Sequence, residues 1–199
     1  MSASSWPRTA PPINPPERFD LPGIIVRRHR VADAAMIADA VAASLDHLAP
    51  WMPWADETAG TEEFQRRRIA EEDPAAGFNY LILPPAEDEV IGGTGLHPRI
   101  GEGGLEIGYW LRPTATGRGV ITAAVTALSR AALELPGITR VEIHCDEANT
   151  KSAAVAARVG FTLSEVVDDD IKAPSETGRS MIWVLEAGQT TQSGIAANV

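Results

Sequence analysis

The chain has 199 residues, 44% hydrophobic and 22% charged, and its 17 Lys and Arg against 27 Asp and Glu leave a formal charge of −10; this suits a globular domain with one core, not a fibre or a disordered polymer. No run of about 20 apolar residues offers a membrane span, residues 1–16 lack the apolar stretch of a secretory signal, and the single cysteine, Cys145, rules out an internal disulfide, so a cytoplasmic protein with no membrane partner is expected. The negative charge argues against nucleic acid as a partner, because phosphate contacts supply most non-specific affinity, and is compatible with a cationic one.

Pro7, Pro11, Pro12, Pro15, Pro16 and Pro22 interrupt any helix or ladder over residues 1–22, which read as a Pro-rich arm. The folded domain is expected over residues 23–186, and the small, uncharged residues 187–199 read as a loose tail. Ile24 to Arg28 is a short β-type run. Asp33 is a candidate N-cap for one helix through Ala35–Leu48, with Met36, Ile37, Ala40, Val41 and Leu45 near one face. A Pro/Trp turn, Pro50-Trp51-Met52-Pro53-Trp54, follows, and Thr61 is a candidate cap for a second helix reaching about Glu72. Phe78–Leu83 and Val90–Leu96 predict two strands joined through Pro84 and Pro85. In the next strand, Gly104–Leu111, alternation sets Leu105, Ile107, Tyr109 and Leu111 against Glu106, Gly108 and Trp110.

A turn, Thr116-Gly117-Arg118-Gly119, then leads into a long helix whose apolar positions run from Ile121 to Leu135, where Pro136-Gly137 stops it. Thr139–Cys145 predicts a strand with Val141, Ile143 and Cys145 inward. Asn149 caps a short helix ending at Gly160, and two more strands begin at Phe161 and Arg179. The order is that of a mixed α/β domain.

Two segments carry chemistry. Glycines at 117 and 119 let the backbone approach a ligand, and the helix start behind them favours an anion such as a pyrophosphate. No G-K-[ST] follows, which excludes a P-loop, and a third glycine is missing, which disfavours a dinucleotide fingerprint. The second segment runs from Asp146 through Asn149-Thr150-Lys151-Ser152 to Arg158-Val159-Gly160-Phe161.

Together, Glu106-Ile107-Gly108-Tyr109-Trp110-Leu111-Arg112-Pro113 on to Ala123, and Arg140-Val141-Glu142-Ile143-His144-Cys145 on to Phe161, resemble the GNAT N-acyltransferase superfamily. The closest similarity is to the branch of RimJ/RimL-type ribosomal-protein N-terminal acetyltransferases. Leu48-Ala49-Pro50-Trp51-Met52-Pro53-Trp54 also looks like that branch, and the resemblance covers about residues 24–186.

The resemblance implies a central twisted mixed sheet with helices on both faces. It implies acetyl-CoA, or another short acyl-CoA, as co-substrate, with no metal. The pyrophosphate is expected on the backbone of Thr116, Gly117, Arg118 and Gly119, extending to Val120 and Ile121. The pantetheine is expected along Ile107, Gly108, Tyr109, Trp110 and Leu111, as an added strand. Two positions depart from the superfamily: Thr114 stands where its signature has Gln or Arg, and Ala156 where many members carry a tyrosine acid. Ser152 matches the serine that this branch uses instead, and Asn149 is expected to orient it or the pantetheine. Glu106 is the candidate base, and its flanks Leu105 and Ile107 are expected to desolvate it and raise its basicity.

Trp51 and Trp54 wall the acceptor cleft or are core aromatics; both readings stay open. Arg66-Arg67-Arg68 reads as a solvated helix face, and His29, His47, His97 and His144 show no metal-ligand spacing. The implied function is transfer of an acetyl or related acyl group to a primary amine by direct attack, the acceptor being a protein N-terminus, a small amine or an aminoacyl compound. A homodimer is compatible with it. Competing readings are a catalytically silent acyl-CoA-binding module and a succinyl-CoA-dependent enzyme. Acceptor choice is expected to lie in the loops around residues 46–76 and 166–179.

Overall fold

The computed structural model describes residues 13–73 and 75–188. Its first strand, β1 (Arg18–Leu21), lies within the stretch that the prolines mark as an arm, so the folded domain begins by residue 18 rather than 23. The reason is alternation: Phe19 and Leu21 turn toward the core, while Pro22-Gly23 forms the hairpin turn to β2 (Ile24–Arg28), with Gly23 at φ +79. Further up the arm, Pro16 is tied down too, its carbonyl accepting from the Tyr80 hydroxyl at 2.8 Å. Residues 1–12 and 189–199, the bulk of the expected arm and tail, lie outside the described residues.

The single helix expected through Leu48 is two, α1 (Ala34–Ala42) and α2 (Leu45–Leu48). At the break, the Ser44 hydroxyl donates back to the Ala40 carbonyl at 2.7 Å, a local bond that competes with the helical ladder. Asp33 stands at the N-cap position of α1, but its carboxylate does not cap that helix. It accepts from the Arg30 amide and pairs with the buried Arg27 guanidinium at 2.8 Å. Thr61 does cap α3 (Glu62–Ala70) through the Phe64 amide, at 3.4 Å.

The remaining elements are β3 (Phe78–Leu83), β4 (Gly92–His97), β5 (Gly104–Leu111), α4 (Val120–Leu133), β6 (Arg140–Asp146), α5 (Thr150–Val159), β7 (Thr162–Asp168) and β8 (Arg179–Glu186). The eight strands form one sheet in the order β1-β2-β3-β4-β5-β6-β8-β7. All neighbours are antiparallel except β5 and β6, which the α4 crossover joins in parallel.

Helices cover both faces. Ile24, Val26, Tyr80, Ile82, Leu105 and Ile107 pack with α4 and α5, while Ile25, Leu81 and Leu83 pack with α1 and the α3 side. The central strands are therefore buried on both faces, which explains why β2 and β3 read as nearly unbroken apolar runs.

One departure from regular pairing positions the site. β5 has eight residues, yet only Gly104, Leu105 and Glu106 pair with β6, opposite Arg140, Val141 and Glu142. Beyond Glu106, β5 stays with β4 as far as Leu111, and β6 stays with β8 as far as Asp146. The two strands part, leaving a wedge in the sheet at their C-terminal ends and an unpaired edge along Ile107–Leu111.

Candidate active site

A cavity of about 770 Å³ occupies the wedge and crosses the sheet plane, being lined from β5 and β6, from α5, and from the Trp51–Trp54 turn. The structure brings together Glu106, Ile107, Gly108, Tyr109, Trp110, Asn149, Ser152, Trp51 and Trp54 here. It does not bring Leu111 or residues 116–121 to the same lining. Leu111 turns into the core, and residues 116–121 form a separate corner at the start of α4.

On the α5 side, Asn149 is the N-cap, its Oδ1 accepting from the Ser152 amide at 3.1 Å. The Ser152 hydroxyl lies 2.8 Å from the Tyr109 hydroxyl, which also donates to the Ser152 carbonyl at 3.2 Å. Tyr109 starts on β5, so this contact bridges the wedge. Burial pushes the Tyr109 hydroxyl well above its ordinary value, the bond to Ser152 offsetting it only in part, so the phenol keeps its proton near neutrality. The half-buried Cys145 thiol is likewise pushed up by burial and is no thiolate nucleophile. At the end of β6, Asp146 accepts from the Thr177 and Gly178 amides at 2.8 and 3.1 Å and pins the β7–β8 loop at the wedge mouth.

On the other side lies Glu106, whose side chain is only 12% exposed. The expectation that its apolar neighbours raise its basicity is overturned. Burial does push the carboxyl up, but Arg99 grips both of its oxygens, with Nε to Oε2 at 2.6 Å. The guanidinium holds it below the ordinary carboxylate value. Leu105 and Ile107 are fully buried on the opposite face, where they do little to Glu106. His97, also on the cavity, is pushed down by burial and by Arg99, so it stays neutral.

Trp54 is 43% exposed and meets Trp110 edge-to-face, with ring centroids 6.2 Å apart. That exposure makes it a wall of the cleft rather than a core aromatic. Gly93 gives Trp110 its seat: a Cβ there would lie 2.6 Å from the indole nitrogen. Arg68, expected on a solvated face, lines the same cavity, its Nε donating to the buried Gln65 at 3.1 Å.

At the start of α4, Gly117 and Gly119 take φ +74 and +75. Gly119 is the N-cap of a 14-residue helix and no side chain caps it, so the first-turn N–H groups face outward with the helix's partial positive charge behind them. Arg118 is exposed beside this corner. Arg158, from α5, reaches it by donating to the Thr122 hydroxyl at 3.2 Å. A second cavity, of about 540 Å³, lies along the other flank of this helix start, near Gly23 and Glu89. An extended ligand with amides along its length and an anionic end fits what the chain offers, an open strand edge leading away from an uncapped helix start.

Sequence reasoning missed Arg99, the Tyr109 hydroxyl, Arg68 and Arg158. Only Arg99 left a signal: pairing His97 with Glu106 across the β4–β5 turn puts residue 99 within reach of that carboxylate.

Among the described residues, no group of His, Cys, Asp and Glu could hold a metal ion, and no helix is long and apolar enough to cross a membrane.

Residues 24–162 match the family model described as the acetyltransferase (GNAT) domain. The chain is 28% identical over 145 residues to the Bacillus subtilis (strain 168) protein named "Putative ribosomal N-acetyltransferase YdaF", covering 69% of this chain and 77% of that one. Among solved structures it resembles the ribosomal-protein-S5-alanine acetyltransferase from Vibrio fischeri, with a TM-score of 0.75, 21% identity, and 86% and 97% of the two chains covered. It also resembles Mycobacterium smegmatis RimJ in complex with CoA-disulfide, with a TM-score of 0.74, 22% identity, and 90% and 89% covered. At those identities the structural matches speak for the fold.

Proposed function

The chain belongs to the GNAT acetyltransferase family, and we propose that it moves the acetyl group of acetyl-CoA to the α-amino group of a polypeptide N-terminus by direct attack. The observation that carries this reading is the wedge. An open strand edge runs past Ser152 and Asn149 on one side, and Glu106 opens onto the same cavity from the other.

In this reading the amides of residues 117–121, with Arg118 and Arg158, hold the pyrophosphate. The edge of residues 107–111 hydrogen-bonds the pantetheine as an added strand, which aligns the thioester in the wedge. Backbone amides near Ile107–Tyr109 polarise the thioester carbonyl. The acceptor enters past Trp51 and Trp54. Its ammonium gives a proton to Glu106, directly or through a water, the freed amine attacks the carbonyl carbon, and the nitrogen loses its second proton to solvent as the C–N bond becomes an amide. As the carbon–sulfur bond breaks, the sulfur takes a proton from the Ser152 hydroxyl, which Asn149 holds in the first turn of α5. Arg99 has a definite part: it keeps Glu106 ionised, ready to attract and then deprotonate an ammonium.

A polypeptide acceptor is supported by the names of the relatives above, which specify ribosomal proteins, and by the exposed Trp54 on the entry side. The test is CoA-thiol release from acetyl-CoA against peptides with N-terminal Ser or Ala, polyamines and aminoglycosides, with succinyl-CoA as a second donor. Preferred turnover of the peptides with acetyl-CoA is expected. Preference for a polyamine or an aminoglycoside overturns the acceptor, preference for succinyl-CoA overturns the donor, and tight acetyl-CoA binding with no turnover overturns the transfer itself.

A further inference from the structure

We propose that Tyr109 is a positioning residue for the leaving-group side of the reaction: its phenol, reaching from β5 across the wedge to α5, sets the direction of the Ser152 proton. The inference rests on the proposed placement of the thioester in the wedge.

A serine hydroxyl has one proton and rotates among three wells, so alone it presents that proton to sulfur only part of the time. Here the Tyr109 oxygen lies 2.8 Å from the Ser152 hydroxyl and 3.2 Å from the Ser152 carbonyl. The phenol also has one proton, so two patterns exist between the two hydroxyls, with the Cys145 thiol a further hydrogen-bond neighbour of Ser152. If Tyr109 donates to the carbonyl, Ser152 donates to Tyr109, and its proton points away from the wedge. If Tyr109 donates to the hydroxyl, the serine proton is freed for a third partner. A sulfur gaining negative charge selects the second pattern, because each bond in the chain Tyr109 O–H, Ser152 O–H, sulfur polarises the next.

The pattern also solves a balance problem, since a serine that gives up its proton alone leaves an alkoxide. With Tyr109 donating, Ser152 passes its proton to sulfur while taking the phenolic one, and the phenolate recovers a proton from water after the product leaves. The bonds broken are C–S, two N–H of the acceptor and the O–H of Ser152 and of Tyr109; those formed are C–N, S–H and a new O–H on each of Ser152 and Tyr109, with the two acceptor protons leaving to solvent, the first through Glu106, and the Tyr109 proton returning from solvent, so that one proton is released net. Ala156, one turn further along α5, brings no hydroxyl of its own. Asn149 is already committed to the Ser152 amide.

A buried tyrosine also needs a partner for purely structural reasons, so the test must separate the two roles. Tyr109→Phe keeps the ring and its packing. The experiment measures kcat, KM for acetyl-CoA and the thermal midpoint for the wild type, Tyr109→Phe, Ser152→Ala and the double variant. The expected result is a kcat reduced about tenfold or more in Tyr109→Phe, with KM for acetyl-CoA within about threefold. The double variant is expected to be no slower than Ser152→Ala alone, because residues acting as one unit are not additive. If Ser152→Ala is slow and Tyr109→Phe is within twofold of wild type, the inference falls and the proposed function stands. If Tyr109→Phe slows the Ser152→Ala background as much as it slows the wild type, the phenol acts apart from Ser152 and the inference also falls. If Ser152→Ala turns over at the wild-type rate, the proposed leaving-group site falls and takes the role of Tyr109 with it.

Discussion

Replacing Glu106 by Gln removes a charge and little else. The amide oxygen still accepts from Arg99, whose Nε now stands 2.6 Å from the carboxylate. Arg99 is 55% exposed, so its guanidinium finds water when the partner charge is gone. An ion pair with one such exposed partner contributes at most about 1 kcal/mol, which moves the thermal midpoint by roughly 2–4 °C in a domain of this size. The chemistry loses far more. A positioned general base contributes about 10²–10⁴ in rate, or roughly 2.7–5.5 kcal/mol of barrier. The two costs differ enough to be read separately: a folded protein of near-normal melting temperature with a rate down by about 10² or more. The assay is CoA release with an N-terminal peptide, followed from about pH 6 to about pH 8. Without the base, only acceptor already deprotonated by solvent reacts, so the residual rate should climb about tenfold per pH unit toward the amine's ordinary value near 7.7–8.0. A Glu106→Gln enzyme within twofold of wild-type kcat/KM over that range would refute the assignment of the base.

The other expectations concern tuning and scaffold. Arg99→Gln releases the Glu106 carboxyl from the charge that holds it down and leaves burial to push it up. Since the base works only when ionised, the acid-side loss of activity should move to higher pH; a pH profile superimposable on wild type would show that the pair does not tune Glu106. Gly119→Ala puts a Cβ at φ +75 with nothing within 4 Å of it, so its cost is conformational, about 1–2 kcal/mol, and it should also weaken CoA binding by calorimetry. Gly137→Ala, at φ +81 and equally open, is the control that should share the stability loss but not the binding loss. Asp33→Ala removes two charge-assisted bonds from the Arg27 guanidinium, 6% exposed, but leaves it paired with Glu87 at 2.7 Å, so it should cost about 2–3 kcal/mol and lower the melting temperature by roughly 4–12 °C. Asp33 itself is pushed up by burial but held down more strongly by Arg27 and the Arg30 amide. Its contribution is therefore present above the ordinary carboxylate range and lost as pH falls through its lowered value, which an acid-unfolding series on wild type and variant would show as a diminished acid transition.

The residues that read clearly from sequence did so because their roles are local. Asn149 and Ser152 sit three apart at a helix start, and that spacing alone dictates the cap bond that forms. Gly117 and Gly119 announce a turn that needs positive φ. What failed was non-local. Leu105 and Ile107 flank Glu106 in sequence but face away from it, and Arg99, across the β4–β5 turn, sets its charge. The Tyr109–Ser152 contact joins residues 43 apart, and it exists only because the strands separate after Glu106. β1 was hidden for a different reason: four residues between prolines look like a linker until Phe19 and Leu21 find a core. The Ser44 break was hidden because Met36, Ile37, Ala40, Val41 and Leu45 keep helical spacing across it.

The parting of β5 from β6 does more than admit a ligand. The transfer needs a group that takes a proton and a group that gives one, and two such groups in direct contact would neutralise each other. In β5, successive side chains point to opposite faces, so Glu106 and Tyr109, three residues apart, open on different sides of the sheet. One meets Arg99 and the tryptophans; the other meets α5. A continuous sheet would seal these two environments from each other. Because pairing stops at Glu106, one cavity reaches both, and under the proposed mechanism a thioester in the gap would have an ionised carboxylate toward its carbonyl side and neutral hydroxyls toward its sulfur. Moving Glu106 by a single position along β5 would put base and hydroxyls on the same side, and the same residues could no longer divide the two proton transfers between them.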